Sequence, residues 1–400
     1  VSVDVPAPPD TRRVKLAVAA AGISSFALLY APQPVLPQLA AQFHLDPGSA
    51  SLAVSVATGA LAIAVLPIAA LSEIVGRRPI IIASVTLSVV LGLVMPLAPS
   101  YPVLLVLRAL QGVAIAGFPG VASAYLVEQL GRTGVAAAVG AMIAGNTVGG
   151  MLGRLSAGFS AGALGWHGAL AVVAGVALVF SAMTILALPG AARTAPGERS
   201  PNVLSGLGLA LRRPVLLVQY GVAMLAMGAF VAMYNAAGFR LTGAPLNLSP
   251  AVASLVFLAY AVGSVSSSNA GRLVARFGRR RAVLGGLTVM ATGILLTLPD
   301  SLSLVVAGFV VLTGGFFAAH AVANGWAAAE APEGARGQAS GAYTLAYYLG
   351  SSVGGTLGSV VFGHFGWSWL VGVAVLWLAL AGLAVARLTG RARSRAAVPA

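Results

Sequence analysis

Apolar positions along this chain do not alternate and do not form one-sided stripes. They fall in long runs, each close to the roughly 20 residues a helix needs to cross the ~30 Å hydrocarbon core of a bilayer. Charge, proline and glycine interrupt them to leave twelve runs: 16–38, 49–71, 79–98, 102–128, 134–160, 165–188, 214–236, 250–270, 282–298, 302–328, 338–362 and 367–388. The pattern predicts an all-α membrane protein of twelve transmembrane helices. The longest polar stretch, between the sixth and seventh runs, reads as a flexible linker. It divides the chain into an N-terminal tail (1–15), a six-helix bundle (16–188), the linker (189–213), a second six-helix bundle (214–388) and a C-terminal tail (389–400).

Composition agrees. Hydrophobic residues make up 58% of the chain and charged ones 8%, against roughly 25% charged in a soluble domain. The formal charge of +14 would ordinarily point to nucleic acid, but the arginines sit in short segments between apolar runs, which excludes that partner. Of the 23 Lys and Arg residues, only Arg240 falls on one side of the membrane and only Arg108 and Arg154 fall inside spans; all others share the opposite side. Under the positive-inside rule both termini are then cytoplasmic. The segment Val1–Thr11 lacks the order of a signal peptide, so the first run is expected to stay as a membrane anchor.

The chain repeats itself. A shift of 202 residues lays Gly76-Arg77-Arg78 on Gly278-Arg279-Arg280 and Glu128 on Glu330. A shift of 205 lays 145–153 on 350–358 with six of nine positions identical, Gly145, Gly149 and Gly150 falling on Gly350, Gly354 and Gly355. Two six-span copies with the same topology are the build of many transporters, which bind substrate between the copies.

The loop Ala69-Ala70-Leu71-Ser72-Glu73-Ile74-Val75-Gly76-Arg77-Arg78 and its copy Gly271-Arg272-Leu273-Val274-Ala275-Arg276-Phe277-Gly278-Arg279-Arg280 resemble the signature loop of the major facilitator superfamily. The resemblance covers the whole chain and implies two pseudo-symmetric six-helix bundles. It further implies that Glu73 caps a helix of the opposite half, that Arg77 pairs with Glu128 and Arg279 with Glu330, and that this latch favours an outward-open state. In the copy Ala275 replaces the acid, so that cap is missing. The bland alternative is that Arg77 and Arg78 serve only the positive-inside bias.

Leu104–Gly112 resembles the family's second signature, in which an arginine, here Arg108, faces the central cavity together with Gln111; snorkelling of Arg108 to the headgroups is the alternative. Gly145-Asn146-Thr147-Val148-Gly149-Gly150 is similar to the signature of exporters in the drug/proton antiporter branch, with Asn146 where that pattern has proline. The same glycines would equally serve close helix packing.

Spans 3, 6, 9 and 12 carry little beyond small and aliphatic residues and are expected to face lipid. Tyr30 and Gln33 in span 1, Tyr234 and Asn235 in span 7, His320 and Asn324 in span 10, and Tyr347 in span 11 supply the aromatic and hydrogen-bonding groups of a central cavity for amphipathic solutes. No acid lies at mid-depth in any span, leaving His320 as the coupling candidate; a neutral, hydrogen-bonded His320 and uncoupled transport stay open. With no cysteine, no Gly-x-x-x-x-Gly-Lys-Ser/Thr loop and four scattered histidines, an enzyme, a metal site and ATP-driven transport are all disfavoured. The expectation is a monomeric exporter in a bacterial cytoplasmic (inner) membrane, moving drugs, sugars or metabolites against protons, with no cofactor. An importer or facilitator is the nearest rival.

Overall fold

The computed structural model describes residues 11–189 and 203–396. Every element among them is helical. Span 1 (Thr11–Tyr30) cannot continue past Pro32 and Pro34, which lack the backbone N–H a helix needs. It passes through one tight turn, Gln33–Val35, and resumes as Leu36–Phe43. Span 2 (Pro47–Val75) begins at Asp46, whose carboxylate accepts the Ser49 N–H at 3.0 Å. The Ser49 hydroxyl, which donates to the other carboxylate oxygen, and this N–H hold the Asp46 carboxyl below its ordinary range. Span 3 is Arg77–Val94, and span 4 starts at Tyr101, runs to Ala116 and re-enters the helix at Ala122 after a turn.

Ala122–Ala187 is hydrogen-bonded as a single helix of 66 residues, which would be about 99 Å long if straight. It is not straight. Gly145, Gly149 and Gly153 meet Ala19, Ile23 and Ala27 in parallel order. Ser24 and Ala17, by contrast, bond Ala177 and Thr184 in antiparallel order. The chain therefore reverses between them, and the break is Gly165, at φ +62°, a conformation glycine adopts without steric cost. Spans 5 and 6 are its two legs.

In the second half, span 7 is Pro214–Thr242, and span 8 is Pro250–Ser254 continued through Leu255–Ala259 into Tyr260–Ser268. The helix Ala270–Leu296 is broken at Gly278 (φ +76°), so that 270–277 prolongs span 8 and 279–296 is span 9, and span 10 is Leu302–Ala329. Span 11 is Arg336–Leu349 and Gly355–Phe365 around one wide turn, Gly350–Gly354, and span 12 is Trp367–Ala396. Eight stretches among the described residues are long and apolar enough to cross a membrane on their own. The remaining spans fall short for visible reasons: spans 5 and 6 are fused, spans 4 and 11 are interrupted, and span 9 opens with Arg279, Arg280 and Arg281.

The helices overrun the predicted apolar runs at their polar ends. Span 1 starts at Thr11, span 2 reaches Val75, and the basic loop before span 9 is itself helical from Ala270. Long charged side chains there reach the headgroup layer without breaking the helix. The linker is also partly corrected. Residues 190–202 lie outside the described set, but Val203–Leu211 is a helix, apolar enough that Leu207 and Ala210 pack into the core.

The two halves pack alike. Gly350, Gly354 and Gly358 of span 11 meet Met224, Gly228 and Ala232 of span 7, in the same register as the glycines of span 5 on span 1. At each of these positions a Cβ would overlap the facing helix. The most apolar windows of spans 1 and 7 are 72% and 67% buried, against 39% in span 3 and 33% in span 12. Spans 1 and 7 are thus central and spans 3 and 12 peripheral.

Candidate functional site

The polar groups predicted for the centre converge where the halves meet. The span 1 break presents Gln33, fully buried, whose Nε2 donates to Asn235 Oδ1 of span 7 at 2.7 Å. Its Oε1 accepts from Arg154 Nε of span 5 at 2.6 Å, and Arg154 Nη1 donates to the Gly150 carbonyl at 2.7 Å. The Arg154 guanidinium lies 4.2 Å from the Tyr30 ring, 4.5 Å from Tyr260 and 5.3 Å from Phe257. From Tyr260 the aromatic packing continues through Phe230 and Phe316 to His320. Tyr234 sits beside that path, its hydroxyl 2.7 Å from Thr313 Oγ1. His320 Nδ1 is 3.0 Å from the Tyr343 hydroxyl, and the Tyr347 ring is 4.7 Å from the imidazole.

Two calls from the sequence are corrected here. Arg108 does not face a cavity. It is fully buried among spans 1, 2 and 4, donating to the carbonyls of Ala53 (2.6 Å), Leu28 (3.0 Å) and Leu29 and to Gln111 Oε1. Gln111 in turn donates to the Ser88 carbonyl at 2.9 Å. Such bonds satisfy a buried cation without a counter-ion, and they tie three helices together. Asn146 is likewise not at the centre: it packs against Gly22 in the span 1–span 5 contact, its Oδ1 unpaired.

Asn324 is exposed, one turn from His320 on the same face. Among the predicted packing glycines, Gly150 and Gly355 play a different part from the rest. A Cβ there would stand 3.0 Å from Arg154 Nη1 and 3.0 Å from Asn235 Nδ2 respectively. They make room for the central polar residues.

Arg154, Tyr260 and Phe257 were not singled out by sequence reasoning. The available signal was a lone arginine inside an apolar run, and Arg108 gives the same signal.

The loop arginines do form pairs. Arg77 bonds Glu128, and Arg279 Nη1 lies 3.3 Å from Glu330 Oε1, each pair inside its own half. The next arginine in each loop bonds the end of its half's last helix: Arg78 the Leu188 carbonyl (3.3 Å) and Arg280 the Ala386 carbonyl (3.0 Å). Among the described residues Glu73 caps no helix in this conformation. It is exposed and lines a cleft of 570 Å³ whose far wall includes Glu333, Arg336 and Gln338 at the start of span 11. On the opposite face the halves are in contact: Gly48 against Val360, Gly363 against Pro47, and Gly238 against Pro37. A cleft thus opens on the face of the Gly-Arg-Arg loops, whereas the halves touch on the other.

The sequence profile described as "Major Facilitator Superfamily" matches residues 18–244 and 241–400. The chain belongs to the major facilitator superfamily. Within it, the chain is 38% identical over 384 residues to "Inner membrane transport protein YnfM" of Escherichia coli (strain K12), covering 96% of this chain and 92% of that protein. It is 35% identical over 377 residues to "Uncharacterized MFS-type transporter YybF" of Bacillus subtilis (strain 168), covering 93% and 92%. Among solved structures, a bacterial homologue of the human lysosomal transporter Spinster, inward-facing and unoccupied, matches with TM-score 0.76 at 17% identity, covering 95% and 97%. The D323A mutant of the nucleoside transporter NupG matches with TM-score 0.76 at 13% identity, covering 94% and 99%. Superfamily membership makes this chain a multi-pass membrane transporter of a small molecule and not an enzyme.

Proposed function

We propose that the chain is a proton-coupled exporter of small amphipathic organic molecules, working by alternating access as a monomer with both termini in the cytoplasm. The observation that carries this reading is the path of aromatic rings that starts at Arg154, between the halves, and runs through the second half to His320, in a molecule with a cleft on the face of the Gly-Arg-Arg loops. Aromatic walls with a few hydrogen-bonding groups suit amphipathic solutes. His320 is the coupling group in this reading, since it is the imidazole at the end of that path and its Nδ1 lies 3.0 Å from the Tyr343 hydroxyl, a partner for an exchanged proton. The span 5 glycines, similar to the exporter signature, support the outward direction.

The test is transport in proteoliposomes carrying a pH-sensitive dye, with wild type beside His320→Ala and a panel of drugs and sugars. Substrate-dependent proton movement lost in the variant is expected. Substrate flux without proton movement in wild type would favour the second reading, an uncoupled facilitator. That reading draws on one observation: the buried charged residues are arginines, with no buried carboxylate among the described residues.

A further inference from the structure

We infer that Arg154 is the anchor of an anion site, and that the substrates this chain prefers are aromatic organic anions bearing a carboxylate, sulfonate or phosphonate. The inference rests on reading the centre as the substrate path, and it narrows the substrate class beyond amphipathic solutes in general.

The two buried arginines make the case by contrast. Arg108 sits inside one half, and its guanidinium is occupied by three backbone carbonyls and Gln111. Arg154 sits between the halves, touching Tyr30 and Gln33 of span 1 and Phe257 and Tyr260 of span 8. It is 1% exposed, and its hydrogen-bond partners are all neutral: the Gln33 amide, the Gly150 carbonyl of its own helix and the Tyr260 hydroxyl. No carboxylate pairs with it among the described residues.

A charge at this depth is costly. Ring faces recover only part of that. A guanidinium has five donors in a planar fork matched to carboxylate, sulfonate and phosphonate oxygens. The missing counter-charge is therefore an anion, and Gly150 leaves the fork uncrowded, since a Cβ there would stand 3.0 Å from Nη1.

The surroundings define the rest of the ligand. Tyr30, Tyr260 and Phe257 offer flat apolar faces next to the cation, so an aromatic ring carrying the anion is matched at both ends. Gln33 joins the site to Asn235 on the opposite half. An anion that takes the Arg154 donors competes for the fork that holds Gln33, and so loosens the bond linking the halves. Substrate binding and opening are coupled through one side chain.

The experiment is equilibrium binding to the wild-type chain in lipid nanodiscs, with no gradient across any membrane. The anions 1-naphthoate, benzenesulfonate and phenylphosphonate are compared with neutral 1-naphthamide and cationic 1-naphthylmethylammonium. We expect at least one anion to bind about tenfold or more tightly than the amide and the cation. Arg154→Gln should abolish that preference, and Arg154→Lys should keep part of it.

Binding of the amide or the cation as tightly as every anion, or no anion binding at all, overturns the inference, and this needs only the wild-type protein should Arg154→Gln not fold. An anion preference that persists in Arg154→Gln also overturns it. Anion binding without proton movement in liposomes would leave this site standing and sink the coupling. Proton-coupled export of neutral solutes without any anion preference would do the reverse.

Discussion

Gln33 and Asn235 hydrogen-bond to each other across the boundary of the two halves, 2.7 Å apart and fully buried. Gln33 is free to do so because prolines on either side break span 1 at that point. In alternating access this bond must be made and broken as the halves rock. Removing one partner strands the other in a buried setting, at a cost of about 1–3 kcal/mol. Asn235→Ala is therefore expected to shift the balance toward the state open on the opposite face by about five- to 150-fold. The chain has no cysteine, so a single cysteine placed at Val360, which packs on Gly48, reports that face directly. Faster maleimide labelling in the Asn235→Ala background is the expected result, and an unchanged rate would show that the bond does not hold the faces together.

Close packing of spans 1 and 5 and of spans 7 and 11 depends on glycines that face backbone. Gly149→Val and Gly354→Val each force a side chain into a neighbouring helix, and overpacking of this kind costs about 1–3 kcal/mol. Both should lower the melting temperature in detergent, and by similar amounts because the two contacts are copies. Gly175→Ala, with nothing within 4 Å of the added methyl, should leave it unchanged. A melt of Gly149→Val equal to wild type would mean that the helices slide apart without cost.

Much of this was legible in the sequence because it was written in charge and repetition. Gly76-Arg77-Arg78 and Glu128 announce themselves as charged groups among apolar ones, and their copies at 278–280 and 330 fix the duplication. Gln33 was legible from its flanking prolines. The two intramembrane arginines were not separable by that means. Arg108 and Arg154 each stand alone in an apolar run, and what distinguishes them is which other spans surround them: three helices of one half for Arg108, both halves for Arg154. Spacing along one helix carries no such information. The fused spans 5 and 6 and the helix Val203–Leu211 were hidden for a related reason, since tertiary packing and not local composition decides where those helices continue.

Glu73 and the Arg77–Glu128 pair should behave differently when neutralised. The pair is formed in this conformation and partly exposed, so Arg77→Gln is expected to cost roughly 0.2–1 kcal/mol of stability and to be rescued by the exchange Arg77→Glu with Glu128→Arg. Glu73 lines the open cleft and has no ion-pair partner among the described residues. Glu73→Gln should therefore melt like wild type yet transport more slowly, because the acid engages the start of span 11 only when the cleft closes, where a carboxylate meets free N–H groups and a positive helix end. A melting temperature lowered by Glu73→Gln with an unchanged transport rate would contradict that assignment.

Arg108 gives the sharpest contrast with Arg154. Its fork joins the carbonyls of Leu28 and Leu29 in span 1 and Ala53 in span 2 to Gln111 in span 4, so removing it leaves several buried acceptors unpaired. At about 1–3 kcal/mol for each stranded group, Arg108→Ala should lose a few kcal/mol of stability, enough to lower the yield of folded protein in the membrane sharply. Arg108→Lys keeps the charge but reaches fewer of the four acceptors, so it should fall between Arg108→Ala and wild type. The folded fraction of Arg108→Lys should nevertheless transport the same substrates in the same order of preference, since the guanidinium contacts only backbone and Gln111. Expression, melting temperature and a substrate panel measured on the same preparations separate the two effects. A substrate order altered in Arg108→Lys, with its melting temperature intact, would return Arg108 to the substrate path and remove the distinction between the two arginines.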